Sequence, residues 1–180
     1  MIIRQRLFDE VLVLESVVRT DGCGSMTDLS PDQLREVVPQ ADWKVQRIYT
    51  MPHRHTFFGI HYQKEPYPQA KLISVLQGKG LDYVVDLRKE SATYAQGQAL
   101  KLDAADPALV YIPSGFGHAF LSLEENTVQY FAADREFVRG YAAAVSFRDP
   151  VIRLELPCES PVLSDKDRDA PFLDQMDEEN

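Results

Sequence analysis

The sequence predicts an all-β barrel or jelly roll with one or two short peripheral helices. From about residue 57, apolar runs of strand length alternate with turn signals, at a spacing typical of antiparallel sandwiches and barrels. The predicted strands are residues 70–77, 81–87, 98–102, 108–112, 118–123 and 127–132. The turn signals between them lie at residues 77–80, 114–117 and 124–126.

One helix and one strand carry more specific patterns. Ser30 is an N-cap residue followed by Pro31 at the first helical position, and Leu34 and Val38 share one face of the predicted helix, which Pro39 ends. In the run over residues 81–87, apolar side chains at odd positions alternate with smaller or charged ones. This alternation predicts a strand that is buried on one face only.

Length and charge predict a single domain that binds something small. A chain of 180 residues can bury roughly 70% of its unfolded surface. The net charge of −9 disfavours general binding to nucleic acid or to an anionic membrane, because both depend on clustered Lys and Arg. No linker interrupts residues 1–180, and the acidic end at 173–180 is expected to be a frayed tail.

The cysteine content and the chain start predict a cytoplasmic protein. Cys23 and Cys158 are the two cysteines, and they form neither a CxxC pair nor a disulfide framework. Asp9 and Glu10 interrupt the first apolar stretch before it resembles a signal peptide. No segment reaches the ~18 apolar residues of a membrane helix.

Two of the four histidines, His61 and His118, lie where a strand enters or leaves an apolar stretch. By itself, either is more simply a rim residue that a hydrogen bond satisfies. Lys71 opens a predicted strand, and parity leaves two readings: it lies in the interior beside a ligand, or it is an ordinary edge charge. Without other information, Tyr130 is interpreted as a buried tyrosine with a packed ring, and Asp167 as a solvated charge in a loop.

Several blocks in series resemble the dTDP-4-dehydrorhamnose 3,5-epimerase family. The resemblance extends over residues ~55–172 and keeps the order and spacing of the family's motifs. The blocks are GIHYQ at 59–63, QAKLISVLQG at 69–78, VDLRKESATY at 85–94, IPSGFGHAF at 112–120, DP at 149–150 and LSDKD at 163–167.

The resemblance implies a cupin-type jelly roll, usually a homodimer, that epimerises nucleotide-linked 4-keto-6-deoxy sugars without a metal or cofactor. It assigns His61 as the base that removes the proton next to the ketone, with Asp167 holding its ring. Lys71 and His118 match the positions that stabilise the enolate oxygen, and Tyr130 matches the acid on the opposite face. These residue types suit the chemistry, since imidazole is a base near neutral pH and fixed donors stabilise an oxyanion.

The nucleotide-binding part departs from the family pattern. Phe58 stands where the family has an arginine, Ile48 where it has an asparagine and Glu136 where it has a second tyrosine. The N-terminal Asp-x-Arg-Gly stretch is reduced to the sequence at 20–26. The nucleotide base and the number of inverted centres therefore stay open.

A diphosphate still requires cationic partners. One hypothesis assigns this role to the basic group upstream of Phe58, namely Arg47, His53, Arg54 and His55; the alternative is a solvated basic loop. The residues expected to bind substrate are Gln46, Arg47, Arg54 and Gln63.

Two other classes of function stay open, and the first is a metal-dependent cupin oxygenase or isomerase. His53 and His55 imitate a metal-binding pair and His118 resembles the second motif of a metal cupin, but the carboxylate expected after the first pair is missing at 56–59. The second is a non-catalytic carbohydrate-binding or regulatory cupin, since a fold does not guarantee an activity.

Overall fold

The computed structural model describes residues 2–28, 34–38 and 42–176. Short helical turns lie at Arg139–Tyr141, Asp165–Arg168 and Leu173–Met176. The strands are β1 (Ile3–Leu7), β2 (Val11–Glu15), β3 (Val17–Thr20), β4 (Ser25–Asp28), β5 (Val45–Met51), β6 (Phe57–Gln63), β7 (Lys71–Gln77), β8 (Lys79–Asp86), β9 (Gly97–Asp103), β10 (Ala108–Ile112), β11 (Phe116–Ser122), β12 (Thr127–Ala133) and β13 (Ala142–Ala144).

Two antiparallel sheets face each other and form the barrel. The first has the strand order β1-β2-β10-β7-β12-β5, and the second has the order β13-β6-β11-β8-β9. A separate two-stranded sheet pairs β3 with β4. The prediction of an all-β, cupin-like jelly roll is confirmed. No helix in the described ranges is long and apolar enough to cross a membrane.

The six predicted strands correspond to β7 to β12, with ends that shift by one or two residues. The largest shifts, of two residues, are at the starts of β8 and β11, and Lys79 and Phe116 both lie inside predicted turns. The predicted strands do not include β1 to β6 or β13. Strands β1, β3 and β5 are largely exposed and therefore lack an apolar run or a clear alternation.

The apolar residues form three layers because both sheets are covered on both faces. One cluster fills the barrel between the sheets, with Val84 and Phe120 from the second sheet and Ile73 and Val110 from the first. A second cluster lies on the outer face of the first sheet. A third lies on the outer face of the second sheet, where residues 145–176 cover it.

The prediction of a half-buried strand at residues 81–87 is wrong. Tyr83, Val84 and Val85 are all buried, and so are Asp82 and Asp86. The odd positions pack under the C-terminal segment and the even positions face the barrel interior. Alternation in a sequence predicts that one face of the strand is exposed. In β8 both faces are buried, one in the barrel interior and the other under the C-terminal segment.

The predicted helix near Ser30 lies only partly within the described residues. Leu34 and Val38 are buried in the second cluster, whereas the predicted cap at 30–33 and Pro39 lie outside the described residues. The prediction of a frayed tail is wrong over 173–176. This part is a helical turn whose Leu173 and Met176 pack against the third cluster.

The turn after β8 is held by one buried carboxylate. Asp86 accepts hydrogen bonds from the guanidinium of Arg88 at 2.8 and 2.9 Å, and from the hydroxyls of Ser91 and Thr93 at 2.6 Å each. Burial raises the pKa of Asp86, but these donors outweigh it and hold that pKa well below its ordinary value. The VDLRKESATY block therefore has a structural role, since its hydrogen bonds to Asp86 hold the turn after β8 in place.

Candidate active site

A cavity of about 260 Å³ opens between the two sheets. Charged and aromatic side chains from both sheets line it, together with a lysine from the C-terminal segment. The lining residues used below are Arg47, Tyr49, Phe58, His61, Gln63, Lys71, His118, Phe120, Gln129, Phe131, Phe137 and Lys166.

His61 and Asp167, 106 residues apart, form a hydrogen-bonded pair at the cavity. His61 Nε2 lies 2.6 Å from Asp167 Oδ1, and the carboxylate side chain is 1% exposed. The second oxygen of Asp167 accepts a hydrogen bond from Ser164 Oγ at 2.8 Å. Because the carboxylate accepts a hydrogen bond from the Nε2–H group, Nδ1 is the ring nitrogen whose lone pair is free to take a proton from the substrate.

The C-terminal segment delivers Asp167 to this position. Thr56 and Val162 form a parallel bridge, so the segment runs beside β6 toward His61. Ser164 then caps the turn Asp165–Arg168 by accepting a hydrogen bond from the Asp167 amide. The solvated-loop reading of Asp167 is therefore wrong. The position of Asp167 against β6 depends on packing between segments far apart in the chain and had no local signal in the sequence.

The electrostatics of the pair favour a neutral imidazole beside an ionised carboxylate. Burial lowers the pKa of His61, while the hydrogen bond and charge of Asp167 oppose this effect and Lys166 and Lys71 add to it. Burial raises the pKa of Asp167, but the hydrogen bond and charge of His61, together with hydrogen bonds from Ser164 and the Gly59 amide, outweigh it, and that pKa lies below its ordinary value. At neutral pH the imidazole is thus available as a base.

Glycine is required at position 59, just before the base. Gly59 has φ = 121°, and a Cβ there would lie 2.5 Å from the Cβ of Ala119 on β11. The close approach of β6 to β11 at this point lets His118 pair directly with His61 across the two strands. The GIHYQ block therefore contains a backbone requirement as well as a chemical group.

Lys71 lies in the interior, which decides between its two readings. It is 4% exposed, lines the cavity and donates a hydrogen bond to the His61 carbonyl at 2.5 Å. Burial lowers the pKa of Lys71 to about 7, although the charge of Asp82 opposes the shift. The next residue, Leu72, is also buried. Because both faces of the strand are buried, the alternation of residues could not show which face Lys71 uses.

His118 forms a second imidazole–carboxylate pair, with Asp82. His118 Nε2 lies 2.6 Å from Asp82 Oδ1, and both side chains are buried. Asp82 was not predicted, and the signal available in the sequence was a charged residue inside the predicted strand at 81–87. Asp82 also attracts Lys71, so one carboxylate links two of the cavity's cationic or potentially cationic groups.

Tyr130 is not in the cavity, so the prediction that it faces His61 is wrong. Its ring packs in the cluster on the outer face of the first sheet, and its hydroxyl donates to Gln46 Oε1 at 3.0 Å. The residues on either side of it, Gln129 and Phe131, face the cavity. Strand alternation explains the error, because a shift of one position reverses the face.

Of the four residues expected to bind substrate, two line the cavity and two do not. Arg47 lines the cavity, whereas Gln46 points to the outer face with Tyr130. Arg54 lies with His53 and His55 in the turn that joins β5 to β6, and none of these three lines the cavity. Of that basic group, β5 carries Arg47 into the cavity and ends before the turn begins, and a phosphate-binding role for the turn stays a prediction.

Gln63 lines the cavity, but its amide binds the backbone. Nε2 donates to the carbonyls of Tyr67 and Glu136 at 2.8 and 3.3 Å, and Oε1 accepts from the amide of Val138 at 2.6 Å. These bonds hold the segment that presents Phe137, rather than Glu136, to the cavity. Gln63 therefore shapes the wall of the cavity and has little hydrogen-bonding capacity left for a ligand.

Sequence analysis missed the aromatic wall of the cavity and two polar groups in it. Phe58, Phe120 and Phe131 line the space beside the histidines, together with Gln129 and Lys166. Lys166 stands one residue before Asp167, so the segment that supplies the carboxylate also supplies a cation. Lys166 belongs to the LSDKD block at 163–167, which was the available signal for it, whereas nothing in the sequence marked Gln129.

The histidines that imitate a metal cupin do not meet. His53 and His55 lie in the turn before β6, and His118 is paired with Asp82 in the cavity. Within residues 2–28, 34–38 and 42–176, no group of three or more His, Cys, Asp or Glu side chains is arranged to hold a metal ion.

Known proteins resemble this chain over nearly its whole length. The family model described as dTDP-4-dehydrorhamnose 3,5-epimerase matches residues 6–175. A protein of that name from Salmonella typhimurium is 30% identical over 177 residues, which cover 97% of each chain. A dTDP-4-dehydro-6-deoxyglucose 3-epimerase from Streptomyces bikiniensis is 35% identical over 134 residues, covering 73% of this chain and 68% of that protein.

The fold comparison agrees. A crystal structure of dTDP-4-dehydrorhamnose 3,5-epimerase from Bacillus anthracis, with TDP and PPi bound, superposes with a TM-score of 0.91. It is 30% identical in sequence, and the alignment covers 95% of this chain and 98% of that one.

Proposed function

Because this chain belongs to the dTDP-4-dehydrorhamnose 3,5-epimerase family, we propose that it is an isomerase that inverts C3, C5 or both in a nucleotide-linked 4-keto-6-deoxy sugar. The observation that carries this proposal is the His61–Asp167 pair, whose free ring nitrogen is available at a cavity that also contains Lys71 and His118.

His61 acts as the base. Its Nδ1 takes the proton from the carbon next to the ketone, and the electrons of that C–H bond form the enolate. Asp167 keeps the proton on Nε2 before the reaction and stabilises the imidazolium afterwards. Inversion then requires a proton to be delivered to the other face of the same carbon.

Lys71 and His118 stabilise the enolate oxygen. Both line the cavity and both are buried, so a developing negative charge is poorly screened there and attracts them strongly. Fixed donors at such an oxygen contribute about 3–4 kcal/mol each to transition-state stabilisation. Asp82 holds His118 in place and offsets part of the cost of burying the Lys71 ammonium.

Arg47 and Lys166 bind the diphosphate of the substrate. Both are cationic and line the cavity, and they come from β5 and from the C-terminal segment. In a protein with a net charge of −9, such local cations are needed to hold two phosphate charges. We take dTDP as the first nucleotide to test, since the related structure from Bacillus anthracis holds TDP.

The chain is proposed to work as a homodimer. Val17, Val18 and Met26 on the β3–β4 hairpin are 38–57% exposed, and Ile48 on the edge strand β5 is 63% exposed. Exposed apolar groups beside a free sheet edge are typical of a surface that a second copy covers. Light scattering on the intact chain and on the Val18→Glu variant tests this, and a monomeric parent would contradict it.

The cytoplasm is the proposed compartment. Cys23 and Cys158 are both free thiols, as expected where the environment is reducing.

Solvent exchange tests the activity directly. The purified protein is incubated in heavy water with dTDP-4-keto-6-deoxyglucose, and proton NMR follows the C3 and C5 signals. We expect deuterium incorporation and inverted product from the parent, and neither from His61→Asn. The proposal fails if the folded parent exchanges neither position with the dTDP-, GDP- or CDP-linked sugars.

A sugar-nucleotide-binding protein without turnover is the second candidate. The observation that favours it is the position of Tyr130 outside the cavity, which removes the acid expected opposite His61. Tight binding of a dTDP sugar by calorimetry, without exchange at C3 or C5, would select this function.

A further inference from the structure

The cavity contains another phenol that can reprotonate the sugar. Tyr49 and Tyr62 are the tyrosines that line it among the described residues. The Tyr62 hydroxyl contacts Met176 Sδ at 3.8 Å on the outer face, where the C-terminal segment packs. We propose, on the basis of the epimerase function above, that Tyr49 is the catalytic acid that delivers the proton to the face opposite His61.

Tyr49 stands on the wall that faces the base. It lies on β5 in the first sheet, whereas His61 lies on β6 in the second. Its ring reaches across to β6, with its centroid 5.8 Å from that of Phe58, and it lies 5.9 Å from Phe131 on the neighbouring strand. The two phenylalanines therefore hold the ring between the sheets.

The Tyr49 hydroxyl is available for a ligand. None of the residues at 2–28, 34–38 and 42–176 makes a hydrogen bond to it, in contrast to the Tyr130 hydroxyl, which Gln46 engages. A phenol in a largely aromatic cavity normally finds a hydrogen-bond partner, and a substrate would supply one here.

Gln129 places a second polar group beside the phenol. It is the cross-strand partner of Tyr49 in the β12–β5 register, and both side chains face the cavity. Gln129 is 3% exposed, and its Nε2 has no hydrogen-bond partner. A buried amide donor without a partner is rare in folded proteins and points to an acceptor on the ligand. We assign a sugar oxygen as the acceptor of the Gln129 amide, so that Gln129 positions the sugar ring beside the Tyr49 hydroxyl.

The proton transfers balance. His61 Nδ1 takes the proton from the carbon next to the ketone, and the C–H electron pair becomes the enolate. That pair then forms a new C–H bond to the phenolic proton of Tyr49 on the opposite face. The imidazolium and the phenolate that remain return to their starting states when protons exchange with water.

The Tyr49→Phe variant separates the two transfers. It keeps the ring contacts with Phe58 and Phe131 but lacks the acid. In heavy water we expect deuterium exchange within about tenfold of the parent, because His61 can return a deuteron to the same face. Formation of inverted product should fall at least 100-fold. The matched control is Tyr130→Phe, which should exchange and invert at the parental rates.

The outcomes distinguish this inference from the proposed function. If the parent does not exchange, the epimerase function itself fails. If the parent inverts and Tyr49→Phe inverts equally fast, Tyr49 is not the acid. If the variant loses exchange and inversion together while its melting temperature is unchanged, Tyr49 serves binding or the base, and the inference is overturned.

A variant of Gln129 tests the positioning role separately. Gln129→Met removes the amide at similar volume, and we expect KM to rise about tenfold. The melting temperature should stay the same or rise, because a buried donor without a partner is removed. An unchanged KM, or a higher KM accompanied by a lower melting temperature, would contradict the assignment.

Discussion

Replacing Asp167 by asparagine removes one charge from the active site with little change in shape. The Asp167 carboxylate lies 2.6 Å from His61 Nε2 and is 1% exposed. For charges about 4 Å apart at an effective dielectric of about 20, the attraction is about 4 kcal/mol. Because the His61 side chain is 35% exposed, solvent screening reduces this attraction, and we take about 2–4 kcal/mol as the stabilisation of the imidazolium.

This energy predicts a fall in kcat of about 30- to 1,000-fold for Asp167→Asn, since ~1.4 kcal/mol corresponds to a factor of ten. Asp167 also raises the pKa of His61, so the acid limb of the kcat/KM profile should move to lower pH in the variant. The assay is the rate of inversion by NMR between pH 5 and 9.

The matched control is Asp165→Asn. Asp165 belongs to the same helical turn, but its side chain is 89% exposed and pairs with Arg168 at the surface. This variant should keep the parental kcat. Asp167 would have no such role if Asp167→Asn kept more than a third of the parental kcat while folded, or if both variants lost activity equally.

Three further predictions concern pH and stability. First, kcat/KM should rise with pH as His61 loses its proton, at a pH below the ordinary range for histidine, and fall again near pH 7 as Lys71 loses its own. Lys71→Met should remove the alkaline fall and lower the maximum at least 100-fold in a pH–rate profile. Second, Asp86→Asn should lower the free energy of unfolding in urea by about 3 kcal/mol at pH 7, with the exposed Glu90→Gln as control. Because folding depresses the pKa of Asp86, the parent should lose this advantage progressively as pH falls below about 4, and a difference that does not shrink with falling pH there would contradict the assignment. Third, Gly59→Ala should lower the melting temperature strongly because its Cβ would lie 2.5 Å from Ala119, whereas Gly140→Ala, with nothing within 4 Å of its Cβ, should leave it within a few degrees; equal melting temperatures would show that the close approach is not needed.

The sequence alone determined the central strands and the chemical types at the site. Strands β7 to β12 are runs of apolar residues bounded by turns, so local composition was enough to find them. His61, Lys71, His118 and Asp167 were identified through the resemblance of their motifs to the epimerase family, and the structure places all four at or beside the cavity. The exposed strands β1, β3 and β5 carry no such signal, because solvent accepts most side chains on them.

The tertiary structure decided which face each side chain uses and which distant residues meet. Tyr130 and Phe131 differ by one position, and only the register between β12 and its neighbours turns the phenylalanine toward His61 and the tyrosine away. Asp82 meets His118 through strand pairing, and Asp167 is buried because residues 145–176 cover the second sheet. Local sequence fixes the period of a strand, whereas its phase depends on packing between segments far apart in the chain.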